Sequence, residues 1–188
     1  MTKQLELYLR SVDEFDARVQ VVRLGDLEKP TPCSEWNVRQ LLNHLVYEDR
    51  WAVPLLAGKT IAEVGDELEG DLLGDDPQLA WKLAADEAKA AAQESGATEQ
   101  TVHLSFGDFS GGDYLDQLTA DHLIHGWDLA RATSGQENLD ESLMEHVYAW
   151  AVPIEDVLKG SGAYGEKIEV PEGADLQTRL LAVFGRRA

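Results

Sequence analysis

A single cysteine, Cys33, stands in 188 residues, so no internal disulfide can staple the fold, as suits a reducing compartment. No run of about 20 apolar residues occurs, which argues against a membrane-spanning helix. The opening stretch, MTKQLELYLRSVDEF, lacks the basic patch and apolar segment of a secretory leader. Together these absences point to the cytoplasm. Basic residues are scarce: 16 Lys and Arg stand against 35 Asp and Glu, a formal charge of −19. Such a surface repels phosphate backbones and anionic lipid, so neither nucleic acid nor membrane is an expected partner. There is no G-x-S-x-G, no P-loop and no G-x-G-x-x-G following a strand. Serine hydrolase, nucleotide-binding and dehydrogenase chemistries are left without support. The glycines of Phe106–Gly112 lack the strand–helix context of a phosphate cradle. Seven carboxylates lie between Glu63 and Asp76 with no basic residue among them. Their spacing is not that of a calcium loop, so they read as a solvated acidic segment.

What is present is helical. Hydrophobic residues make up 44% of the chain, enough for one compact core. Leu7, Tyr8, Val12, Phe15, Val19 and Val22 recur at three- and four-residue intervals, predicting an amphipathic helix over 3–22. After the proline-bearing loop around Cys33, Asn37 and Gln40 form a capping-box pattern. The stripe Val38, Leu41, Leu42, Leu45 and Val46 follows, predicting a second helix to about Leu56, bent or shortened near Pro54. Asp76-Pro77 announces a third helix reaching about Ser95. Residues 101–113 read as an extended, turn-rich connection. A fourth helix is expected from Tyr114 to Thr133, with Gly135 as its C-cap. A fifth spans about Glu141 to Leu158, interrupted at Pro153. A short strand at Lys167–Val170 and a brief helix at Leu176–Phe184 complete the expectation. The fold class is therefore all-α: a four-helix bundle over 1–160, with a short irregular tail, 161–188, packed on it.

Three of the five histidines fall on two of these helices. His44 lies beside the apolar stripe of the second. On the fourth, Asp121 precedes His125 by one turn, so carboxylate and imidazole project together. Two imidazoles and a carboxylate are standard ligands for zinc and related divalent ions. His122 shares a face with His125 as well, so spacing leaves Asp121 and His122 both open as the third ligand. Glu48, one turn beyond His44, can support the site or join it. Cys33, His103 and His146 have no ligand-like spacing. Trp127 reads as interhelical packing, Asp128 as a local partner of Arg131, and Arg50 and Arg131 as candidate receivers of an anionic substrate.

The segments TPCSEWNVRQLLNHLV and HLIHGWDLARATSG, with the closing RLLAVFGRR, resemble the DinB/mycothiol-dependent maleylpyruvate isomerase superfamily, and more closely its short actinobacterial metal-binding branch. The resemblance covers nearly the whole chain. It implies a DinB-like four-helix bundle in which His44, Asp121 and His125 bind zinc, with nickel or iron as alternatives. It also implies a low-molecular-weight thiol such as mycothiol as co-substrate. Two departures stand out. The isomerase has a glutamate where Asp121 stands, and it carries a further C-terminal domain that this chain is expected to lack. The first shortens the reach to the ion, which must sit closer to this helix or be bridged by water; the second argues against maleylpyruvate isomerisation itself. The expected function is that of a divalent-metal-binding protein acting as a thiol-dependent transferase or isomerase on a small molecule. The alternative is a non-catalytic metal- or partner-binding helical module. A homodimer is among the expected assemblies.

Overall fold

A computed structural model of the chain describes residues 1–34, 36–155 and 167–188. These group into two compact units, Met1–Gly135 and Gln136–Ala188. The first unit is built on four long helices: α1 (Lys3–Val19), α2 (Val38–Leu56), α4 (Pro77–Gln93) and α5 (Gly111–Thr133), with a single-turn α3 (Ile61–Val64) between α2 and α4. α1 and α2 each pack against both α4 and α5, so α2 and α5 are neighbours around the bundle. The all-α expectation holds.

Local chemistry sets the helix ends. Asn37 accepts from the Gln40 N–H while the Gln40 side chain accepts from the Asn37 N–H, the reciprocal box expected at the start of α2. Pro54 falls in the last turn, where the helix ends anyway. Asp76 caps α4 through the Leu79 N–H, with Pro77 in the first turn. The core between the helices is mostly apolar. Tyr8, Phe15, Leu41, Leu42, Leu45, Trp81 and Leu115 are fully buried, and Ala84, Ala85 and Ala88 bring α4 close to its neighbours.

The connection before α5 is more ordered than the sequence indicates. Residues Thr101–Leu104 (β1) and Gly107–Ser110 (β2) pair as an antiparallel hairpin. α5 then begins at Gly111, three residues before the expected Tyr114, capped by Ser110. A Cβ on Gly111 would lie 1.8 Å from the Ala97 carbonyl oxygen, so only glycine lets the helix start so close to the preceding turn. At the far end Ser134, not Gly135, adopts the left-handed conformation, and the Gly135 N–H closes on Ala130 O at 2.7 Å.

In the second unit, α6 (Glu141–Ala151) gives way to a 3-10 turn, Val152–Ile154, at Pro153, and packs with α7 (Leu176–Val183). Its core includes Leu143, Val147, Leu180, Leu181 and Phe184. Sequence periodicity assigned α6 to the bundle; it is grouped here with the C-terminal residues. The expected end of that helix at Leu158 and the boundary at Gly160 lie outside the described residues. No strand forms at Lys167–Val170. The Ile168 N–H bonds the Ala182 carbonyl instead, since a strand needs a second strand beside it to satisfy its backbone.

Candidate metal centre

His44 from α2 meets Asp121 and His125 from α5 across the α2–α5 contact. Among the described residues these three are the one group of potential ligands whose donor atoms all lie within 4.8 Å of one another. His44 Nε2 is 2.8 Å from Asp121 Oδ2, and His125 Nε2 is 3.5 Å from Asp121 Oδ1. One carboxylate oxygen is hydrogen-bonded to His44, and the other lies beside His125. The i, i+4 spacing of Asp121 and His125 produces this directly, because residues one turn apart share a helix face.

The second nitrogen of each imidazole has its own neighbour. His125 Nδ1 donates to Asp128 Oδ2 at 3.0 Å, and Asp128 is fully buried. An ionised carboxylate can only accept, so the proton sits on Nδ1 and the Nε2 lone pair is directed into the cluster. His44 Nδ1 is 3.9 Å from Glu48 Oε1. An imidazole oriented by a carboxylate behind it, with its free nitrogen facing other donors, is the arrangement that metal-ligating histidines favour. The donor set is therefore chemically suited to a divalent ion of the zinc, nickel or iron kind.

Electrostatics tie the group together. Burial alone would raise Asp121, but His44, His125 and His122 outweigh it and hold the carboxyl well below the usual range. Burial opposes protonation of His44. The Asp121 charge and hydrogen bond, with Glu48 behind, prevail and raise its pKa. Glu48 is pushed up to about 7, first by burial and then by the Asp121 charge, against the pull of His44.

His122, the open alternative to Asp121, turns elsewhere. It is almost fully buried, with Nδ1 3.4 Å from Ser11 Oγ and Nε2 3.2 Å from Asp49 Oδ1. The Asp49 approach is off hydrogen-bond alignment, and Nε2 and Asp49 Oδ2 are left without hydrogen-bond partners. The His122 ring packs against Tyr8, Phe15 and Trp81. It belongs to a polar knot inside the bundle, where Tyr8 also donates to Asp49 at 3.4 Å.

Other sequence candidates resolve as follows. Asp128, read as a partner of Arg131, holds His125, while the Arg131 guanidinium lies over Trp127 at 5.2 Å. His103 pairs with Asp108 in the hairpin at 2.7 Å. His146 sits on α6 in the second unit, and Cys33 is half-buried in the loop before α2. Trp36 drew no attention in the sequence, yet its indole packs on both His44 and His125. A cleft of about 310 Å³ lined by Leu24, Leu27, Leu42 and Pro77 includes none of the three candidate ligands.

The sequence profile of the mycothiol maleylpyruvate isomerase N-terminal domain family matches residues 8–130, a span that takes in all three candidate ligands. The chain belongs to that family. Two uncharacterised proteins of Mycobacterium tuberculosis, from strains CDC 1551 and H37Rv, are each 29% identical over 188 residues, covering 97% of this chain and 97% of their own. The crystal structure of the mycothiol-dependent maleylpyruvate isomerase shares the fold, with a TM-score of 0.69 at 15% identity. That similarity covers 98% of this chain and 88% of the isomerase. The expected difference in size is therefore corrected: little of the isomerase lacks a counterpart here. No helix among the described residues is long and apolar enough to cross a membrane.

Proposed function

We propose that this family member binds one divalent ion, zinc foremost, through His44, Asp121 and His125, and uses it in thiol-dependent transfer or isomerisation of a small electrophile. The observation that carries the reading is the convergence of two imidazole nitrogens and a carboxylate within 4.8 Å. An ion held by these three residues would supply positive charge that lowers the pKa of a bound thiol. The protein's own groups do the rest. Asp128 keeps the proton on His125 Nδ1, leaving Nε2 free to bind. His44 Nε2, which shares a proton with Asp121 without the ion, must release it on binding. Glu48 stands beside His44 on the more exposed side and can hold the proton that an incoming thiol gives up. The family name makes a mycothiol-type thiol the natural co-substrate.

The experiment is a thiol titration of zinc-loaded protein, followed by proton release in weakly buffered solution. A thiol that binds with release of a proton at neutral pH supports the reading. Zinc binding without any thiol binding would favour the non-catalytic module, which the aspartate at 121 in place of glutamate also favours.

A further inference from the structure

Trp36 is outside the donor set but touches two of its three members. Its ring centroid lies 4.5 Å from that of His44 and 5.4 Å from that of His125, tilted by 38° and 40°. The two imidazoles meet edge-on at 5.1 Å. Carbon surfaces touch at about 3.5–4 Å, so no further atom fits between the indole and the imidazole beneath it.

The loop holds this residue in place. The Trp36 carbonyl accepts from the Thr31 hydroxyl at 2.8 Å and from the Thr31 N–H at 3.2 Å. The Trp36 N–H donates to Cys33 O at 2.9 Å, and the next residue is the anchored cap Asn37. Helical side chains lean toward the N-terminus, so His44 leans back toward Trp36 while Glu48 stands a turn beyond. Side-chain exposure rises from 6% at His125 through 13% at Asp121 and 22% at His44 to 29% at Glu48. Exposure thus increases toward Glu48, while the indole covers the rings of His44 and His125.

We propose that Trp36 is a specificity-determining wall of this centre, admitting donors on unbranched chains, such as primary thiols, and rejecting donors branched at the adjoining carbon. The inference rests on the metal-binding reading above and deepens it. A branched carbon next to the donor atom would have to occupy the volume the indole fills, whereas a methylene points away toward Glu48.

The test uses cobalt(II)-loaded wild type, Trp36→Phe and Trp36→Ala, each titrated with ethanethiol and with 2-methylpropane-2-thiol. Both probes offer sulfur and differ in branching. The readout is sulfur-to-cobalt charge-transfer absorption, and the compared quantity is the ratio of the two affinities. Trp36→Ala should lower the preference for the unbranched thiol by about tenfold or more, the scale of discrimination that one or two methyl groups give in a packed pocket. Trp36→Phe should retain most of the preference. An unchanged ratio in a folded, cobalt-loaded Trp36→Ala protein overturns the assignment, and should that variant fail to fold, Trp36→Leu decides by the same criterion. If wild type takes up no cobalt, the metal reading falls and the wall with it. If it takes up cobalt and the ratio does not move, only the wall falls.

Discussion

Replacing Asp128 isolates the contribution of a residue that is outside the donor set but holds one of its members, His125. Its carboxylate is fully buried and accepts from His125 Nδ1 at 3.0 Å. Asp128→Ala leaves His125 free to rotate and to exchange tautomers, so Nε2 no longer faces the cluster in every molecule. Outer partners of this kind are worth about 10–100-fold in metal affinity, or ~1.4–2.8 kcal/mol. Burial places Asp128→Ala near the upper end. Asp128→Asn keeps an acceptor but loses the charge that makes the imidazole more basic, and should fall near the lower end. Competition between the protein and a chromophoric zinc chelator at pH 7.5 measures both, with circular dichroism as the check on folding. If folded Asp128→Ala competes for zinc within about twofold of wild type, well under the 10-fold floor for such partners, the orienting role is refuted.

Three further outcomes follow from the same geometry. The raised Glu48 pKa means that the metal-free folded protein holds a proton between pH 4.5 and about 7 that the unfolded chain has already lost. Stability of chelator-treated protein should therefore fall as pH rises through that window, by roughly 1–3 kcal/mol; urea unfolding at pH 5 and pH 8 should show it, and Glu48→Gln should flatten the dependence. His122→Ala should leave zinc stoichiometry intact while costing roughly 2–4 kcal/mol of stability, because it removes a buried ring packed on Tyr8, Phe15 and Trp81 and opens a cavity; loss of zinc binding in a folded variant would move His122 into the site. Gly111→Ala should destabilise by about 1–3 kcal/mol or more through the Ala97 carbonyl contact, and a variant as stable as wild type in urea would show that the α5 start is not so constrained.

Most of the bundle was legible because its signals are local. Asn37 with Gln40, and Asp76 with Pro77, are complete cap signatures within a few residues, and both marked true helix starts. The start of α5 was not legible: Gly111-Gly112 reads as a turn, and the need for glycine arises from Ala97, distant in sequence. The hairpin at 101–110 escaped because four-residue strands carry too little alternation to register. Lys167–Val170 erred the other way, offering alternation without a partner strand. In the site, Asp121 and His125 announce themselves by one-turn spacing and His44 by its place beside the apolar stripe of α2, and the family motif joins the three. Asp128 sits three residues after His125 and could have been noticed as its partner, but Arg131 at the same spacing was the more obvious choice. Asp49, between Glu48 and Arg50, looks like one more charge on a solvated face; only tertiary packing buries it. Trp36 lies in a loop, where no periodicity predicts which helix its ring will meet.

The central claim is that α2 and α5 jointly hold one divalent ion. Titration calorimetry of chelator-treated protein with Zn²⁺, run in parallel on wild type, His44→Ala and His125→Ala, tests it most directly. The account predicts one equivalent of tight binding for wild type and none for either variant, with unchanged helix content, since a bundle with this core folds without metal. Tight one-to-one binding that survives both substitutions, or wild type that binds no zinc, would contradict it.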